Sequence, residues 1–452
     1  MAAPTNAFVD YGTGNDYKGY PFVDGAYTSA TKLLMVTGAF ASSKINHWLY
    51  LADNGSGNIV DGYYRITAIT GTSTVWLNAD AGGGSDAVDV VCNSASGTAS
   101  LPWRSIQGAL DLITRDAVNG DQINIKAGTD QVLSATLVLT TYGAPTSATP
   151  VIFRGYTTSA NDGGIGVIDG AATYAIWLGV SATGNYCHFW DLKMGNCGAA
   201  QVITLGHYST IVNCELHTST ATRGVSYEGT ACNIVNCYIH DLSGASNVFF
   251  NSAGGGLYYC NIKSAAGTYV VDGYSSPSSI ENNIIDISTD TSLTAIYVRG
   301  NGSRVMSNTI YTSSAQTVAA IKEDTAGHAI VLNNTIEGYS GAGGIGTHKS
   351  TGSVIVLGKN AYFNCTTPET DAGKARYTLS ASVTLVASPY VDKAGDNFAI
   401  VAGSLAIGAA WPVSLNNLST TVNAAEIGAV QNGAGSGTTI TGVSKSRIIG
   451  GL

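Results

Sequence analysis

The chain has 452 residues, 56 of them glycine, with 21 Lys plus Arg against 30 Asp plus Glu. A formal charge of −9 without a basic cluster excludes the electrostatic footprint of a nucleic-acid binder, and no apolar run reaches the length of a membrane span. Hydrophobic residues make up 44%, too many for a disordered chain, and 24 tyrosines among short Val/Ile runs and abundant Gly, Ser, Thr and Asn point to β-structure rich in tight turns.

The first residues, MAAPTNAFVDYGTGND, carry neither a basic segment nor an apolar core, so no export signal is expected and assembly in a cytosol follows. Residues 1–30 read as an N-terminal arm. Residues 31–95 read as a small β module, because MVTGAFAS, NHWLYLAD, GYYRITAIT and STVWLNADAG alternate as the strands of a barrel or sandwich. In the stretch 101–129, Ile106, Ala109, Leu110 and Ile113 form the apolar face of a helix, placed to cover the open end of whatever sheet follows.

From there the sequence repeats. Leu192, Cys214, Cys237, Cys260, Asn283, Asn308, Asn334 and Asn360 fall in one column at steps of 22, 23, 23, 23, 25, 26 and 26 residues. An apolar residue stands two positions after most of them (Met194, Leu216, Ile239, Ile262, Ile285, Ile310, Ile336), and a further strand lies twelve before (Val225, Val248, Val271, Ile296). Each unit therefore holds three short strands separated by turns. The period suits a coil whose successive rungs pair in parallel and stack like residues along an axis. The column is expected to be an inward ladder at a bend. Asparagine tolerates left-handed backbone angles and its amides bond one another, while cysteine fills the same place as a small apolar thiol.

These units resemble the right-handed parallel β-helix, the pectate-lyase-like fold, and the run Asn283–Asn308–Asn334–Asn360 resembles the asparagine ladder of that fold. LPWRSIQGALDLITRDAVNGDQINIKAGT resembles the amphipathic helix and first strand with which many such coils begin. The module at 31–95 resembles an inserted β module of phage tail-fibre and tailspike proteins. The resemblance implies an all-β chain: a parallel β-helix of about ten rungs over 96–370, a C-terminal β segment closing it over 371–431, and a Gly/Ser/Thr tail at 432–452. It implies a virion protein, assembled with other virion proteins and with copies of itself, most simply as a trimer. A capsid-decorating protein without a ligand and a polysaccharide depolymerase are the other two readings.

The strand before each short turn aligns from 225 to 308. It places Val225/Tyr227, Val248/Phe250, Val271/Gly273 and Ile296/Val298 inward. Ser226/Glu228, Phe249/Asn251, Asp272/Tyr274, Tyr297/Arg299 and Lys322/Asp324 then face outward. Phe249, Asp272, Tyr274, Tyr297, Arg299 and Lys322 form a strip of flat rings with charged forks, as a saccharide groove needs, and host surface polysaccharide is the expected ligand. Glu228, Asp272 and Asp324 are the candidate catalytic acids, with Glu228 and Asp324 each two rungs from Asp272. No cofactor or metal is expected. The eight cysteines (Cys92, Cys187, Cys197, Cys214, Cys232, Cys237, Cys260 and Cys365) contain no CxxC pair and read as reduced thiols. His217 and His240 recur on adjacent rungs because the repeat recurs, Trp177 and Trp190 read as packing, and GTHKSTG at 346–352 lacks the spacing of a phosphate loop.

Overall fold

In a computed structural model, the chain describes residues 5–10, 22–36, 40, 45–53, 60, 62–82, 87–92, 103–113, 118–139, 144–179, 184–198, 201–220, 222–251, 254–264, 266–274, 277–287, 290–324, 328–349, 354–371 and 376–406. The tail at 432–452, and EIGAVQ at 426–431 with it, lie outside the described residues. The architecture is an all-β parallel solenoid of about eight turns, somewhat shorter than the ten rungs expected, with a small antiparallel N-terminal element.

The chain divides into two compact units. The smaller comprises residues 1–171 and 186–193. In it Thr5–Val9 pairs in parallel with Asp121–Lys126, which pairs with Val151–Tyr156, which pairs with Cys187–Trp190. Residues 5–9 of the expected arm are thus a strand. The β module is a closed antiparallel barrel, and its first strand is Phe22–Thr28, so it begins before residue 31 and runs to Cys92. Tyr27, Leu34, Leu49, Leu51, Ile66 and Val75 fill it. The helix is short, Ile106–Leu112, started by Ser105, whose hydroxyl accepts from the Gly108 amide at 2.9 Å. It buries Ile106, Ala109 and Leu110, while Ile113 is already its extended C-cap. His47 Nε2 lies 3.1 Å from Asp111 Oδ2, tying barrel to helix.

The larger unit comprises residues 172–185 and 194–452, and most strands of three parallel sheets lie in it. The ladder lies between the first and second of them. Backbone N–H groups of Cys214 and Cys237 meet the Sγ of the next cysteine at 3.5 Å. Cys260 donates to Asn283 Oδ1 at 2.9 Å, and Asn283, Asn308 and Asn334 each send both backbone N–H and Nδ2 to the next Oδ1 at 3.0 Å. The second hydrogen of each amide reaches a carbonyl, Asn308 Nδ2 that of Ile280 at 2.8 Å. One detail differs from expectation. The left-handed residue is the one before the ladder position (Asn213, Asn236, Tyr259, Asn282, Ser307, Asn333, Lys359; φ 53 to 59), so asparagine is placed in the column by its hydrogen bonds and not by its backbone.

None of the seven cysteines whose side chains are described is in a disulfide, and burial pushes the Cys232 thiol up to about 11 and the Cys365 thiol up to about 12. The strands Arg376–Ser380 and Val383–Thr384 extend the first and second sheets. Residues 407–431 of the expected closing segment lie outside the described residues, and the hairpin that precedes them is Tyr390–Asp392 with Asn397–Ile400. This hairpin packs on the second sheet, where Tyr390, Phe398 and Ile400 meet Ile284, Tyr311 and Phe363. Lys393 and Ser388 both bond Glu337, and Lys263 reaches Asp396 at 2.6 Å.

Candidate functional site

The third sheet lies wholly in the larger unit. Its strands Arg223–Tyr227, Ser246–Phe250, Tyr269–Gly273, Thr294–Val298, Ala319–Glu323, Ile345–Lys349 and Thr367–Asp371 pair in register, which stacks Ser226, Phe249, Asp272, Tyr297, Lys322, His348 and Thr370 in one column. A second column stands just past the strand ends. There Asn251, Tyr274, Arg299 and Asp324 donate their amides to carbonyls of the preceding rung at 2.8–3.0 Å, in line with Glu228. Val225, Tyr227, Val248, Phe250, Val271, Ile296 and Val298 fill the interior, with the Tyr227 and Phe250 rings stacked at 4.3 Å. The expected alternation therefore brings Phe249, Asp272, Tyr274, Tyr297, Arg299 and Lys322 onto one face.

That face is less open than a row of outward residues suggests. Phe249 is 5% exposed, Asp272 4% and Tyr297 7%, whereas Tyr274 is 47% exposed. Long neighbours cover the middle column. Arg223 lies over the Phe249 ring at 3.5 Å, Tyr269 stacks on Tyr297 at 4.6 Å, and Arg299 lies 4.4 Å from the Tyr297 ring and 4.7 Å from that of Tyr274. Lys322 Nζ stands 5.2 Å from the Tyr297 centroid. The result is a platform of rings interleaved with cations, each guanidinium held over aromatic faces by the ring quadrupole.

Within it Asp272 is the unusual group. Burial pushes its carboxyl up to about 6, against the pull of Arg299 and Arg223 and with a contribution from Asp324. Arg299 Nη2 approaches Asp272 Oδ2 only at 3.4 Å, and Asp272 Oδ1 and Arg299 Nε are buried with no hydrogen-bond partner among the described residues. The Tyr297 hydroxyl donates to the Asp324 carboxylate, and burial lifts the phenol well above its ordinary range. Glu228 is different, because it accepts from Ser226 Oγ at 2.8 Å and from Asn251 Nδ2. Those bonds commit its carboxylate to structure.

The alignment by inward residues missed Arg223, Tyr269, His348 and Thr370. Arg223 and Tyr269 sit at the starts of their strands, outside the aligned window, and reach the column only through their length. His348 and Thr370 follow turns whose lengths shift the repeat, although the pairing of Lys322 with His348 restores the register. On the second sheet, His217 and His240 stack at 5.9 Å, and His240 is held by Glu215 Oε1 at 3.1 Å and Asp241 Oδ2 at 2.7 Å. Among the described residues no cluster of His, Cys, Asp and Glu could hold a metal ion. Trp177 is buried, and Trp190 is capped by the Arg154 guanidinium at 5.4 Å.

No family model matches the sequence, and no curated protein matches it. Among solved structures, the pectate lyase Pel9A superposes with a TM-score of 0.50 at 14% identity, over 74% of this chain and 93% of its own. The PL6 family polysaccharide lyase Pedsa3628 from Pseudopedobacter saltans gives 0.30 at 10% identity, over 65% of this chain and 93% of its own. The catalytic unit of a GH87 α-1,3-glucanase from Streptomyces thermodiastaticus gives 0.32 at 12% identity, over 81% and 85%. The first likeness establishes the pectate-lyase-like β-helix fold.

Proposed function

We propose that this chain engages a polysaccharide along the outer face of its third sheet, as the attachment protein of a tailed-phage particle. The observation that carries the first part is the strip itself. An open ring at Tyr274 stands beside a dry carboxyl at Asp272 and a guanidinium at Arg299, each with a polar atom that nothing in the described protein satisfies. Sugar rings offer apolar faces to stack on and hydroxyls to fill both vacancies. The pectate lyase likeness makes polysaccharide the first ligand class to test. The particle assignment is supported by the inserted barrel before the capping helix and by the absence of a disulfide among the described residues, and it carries with it a homotrimer and contacts to other virion proteins. Adsorption of wild type and Tyr274→Ala to purified host surface polysaccharide tests the binding claim. Equal adsorption would favour a capsid-decorating protein without a ligand.

A second reading has its own observation. Asp272 is raised toward neutrality while Asp324 two rungs away accepts a hydrogen bond from the Tyr297 hydroxyl, and two acids held in different environments are how a glycoside hydrolase assigns acid and base. A reducing-end assay decides it. Release of sugar by wild type, abolished in Asp272→Asn and in Asp324→Asn, would make the protein a depolymerase.

A further inference from the structure

The strip changes chemical character along its length. At Asp272 it offers an acceptor. Two rungs on, about 10 Å away by strand spacing, the column that holds Asp272 offers donors. Lys322, His348 and Thr370 are consecutive members of the same outer column. The Lys322 ammonium touches the Tyr297 ring, and none of the described residues brings a carboxylate into ion-pair reach of it. His348 Nδ1 and Thr370 Oγ1 are both buried with no hydrogen-bond partner among the described residues. Burial, and then the charge of Lys322, lower the His348 pKa, so the imidazole adds no positive charge beside the ammonium. A half-turn of the ring turns Nδ1 toward the groove without a change of volume, and the hydroxyl of Thr370 rotates freely.

We infer that Lys322, His348 and Thr370 form a subsite for an anionic substituent (a carboxylate or a sulfate) of the saccharide that lies on the strip. An ammonium, an imidazole N–H and a hydroxyl together supply three donors to one group of acceptor oxygens, and the aromatic flank of Tyr297 strengthens the attraction by excluding water. A neutral hydroxyl at this place leaves the lysine charge unanswered. The ligand is thus polar along its length, with a hydroxyl at Asp272 and an acidic group two rungs further on. This inference rests on the glycan reading of the strip, but its test is independent of adsorption.

The full chain, with 15N-labelled histidine and the His348 signal assigned through His348→Gln, is titrated at constant ionic strength with D-glucuronate and separately with inorganic sulfate, and with glucose as the neutral control. The expected result is a saturable shift of the His348 imidazole signals with at least one anion and none with glucose. It should weaken at least tenfold in Lys322→Met and persist in Lys322→Arg. Response to glucuronate identifies a carboxylate, response to sulfate alone a sulfate ester. No saturable shift with either anion, or an equal response in Lys322→Met, overturns the subsite. The strip reading fails instead on Tyr274→Ala adsorbing like wild type, so the two failures are separately visible.

Discussion

Two columns of this molecule obey one repeat and end in opposite states. In the interior ladder, the amides of Asn283, Asn308 and Asn334 each find partners in the next rung and in a carbonyl. On the outer face of the third sheet, Asp272 Oδ1, Arg299 Nε, His348 Nδ1 and Thr370 Oγ1 are buried and find none among the described residues. A buried polar atom left unpaired costs about 1–3 kcal/mol. Stacking in register alone would have allowed the outer column to be satisfied as the inner one is. On the proposed reading, the inner column serves the fold and the outer one serves a ligand.

The largest effect should come from breaking the satisfied column. Asn308→Ala leaves the backbone N–H of Asn283 and one hydrogen of its amide without an acceptor, and removes the side-chain donor to the Ile280 carbonyl. Denaturant unfolding should show a loss of about 3–5 kcal/mol. Cys237→Ala, which removes a weak sulfur acceptor from the same column, should lose about 1–2 kcal/mol. Equal losses would mean that the ladder contributes by volume rather than by hydrogen bonding.

The outer column should split by burial. Tyr297→Ala removes a ring that is packed against Tyr269 and Arg299 and should lose about 2–3 kcal/mol in the same assay. Tyr274→Ala should change stability by under about 0.5 kcal/mol. If the two variants unfold alike, the packing of the platform is wrong.

Sequence reasoning read the period, the ladder column and the outward register correctly, because in a stacked coil each follows from the spacing of Cys214, Cys237, Cys260 and the four asparagines. It did not foresee that Phe249, Asp272 and Tyr297 would be covered. Alternation along a strand says which side a residue faces, whereas coverage depends on how far Arg223, Tyr269 and Arg299 reach from neighbouring rungs. The barrel's start at Phe22 was hidden for a similar reason: FVDGAYT carries Asp and Gly inside a strand that is defined by pairing with Leu33–Met35 and Ala87–Cys92.

Asp272 gives a smaller, pH-dependent effect. Its folded pKa is raised, from 3.8 to about 6, so the folded state holds the proton more tightly than the unfolded one. The stability this confers is complete below about pH 4 and is lost as pH rises through 6. Asp272→Asn should therefore be more stable than wild type by about 1–2 kcal/mol at pH 8, with the gap closing toward pH 4, as followed by denaturant midpoints across pH. A gap that widens on acidification would place the ionised carboxylate in a favourable site instead. A comparably small effect is expected on adsorption, where loss of the Tyr274 ring should weaken binding about three- to tenfold.

The central claim, that the unsatisfied outer column awaits a saccharide, is tested most directly by binding the wild-type protein and an Asp272→Asn/Tyr274→Ala double variant side by side to a microarray of purified bacterial surface polysaccharides. The account predicts that wild type is retained on at least one polysaccharide and that the double variant falls by a factor of about ten or more on that same one. Retention of both proteins to the same extent, or of wild type on none, would contradict it.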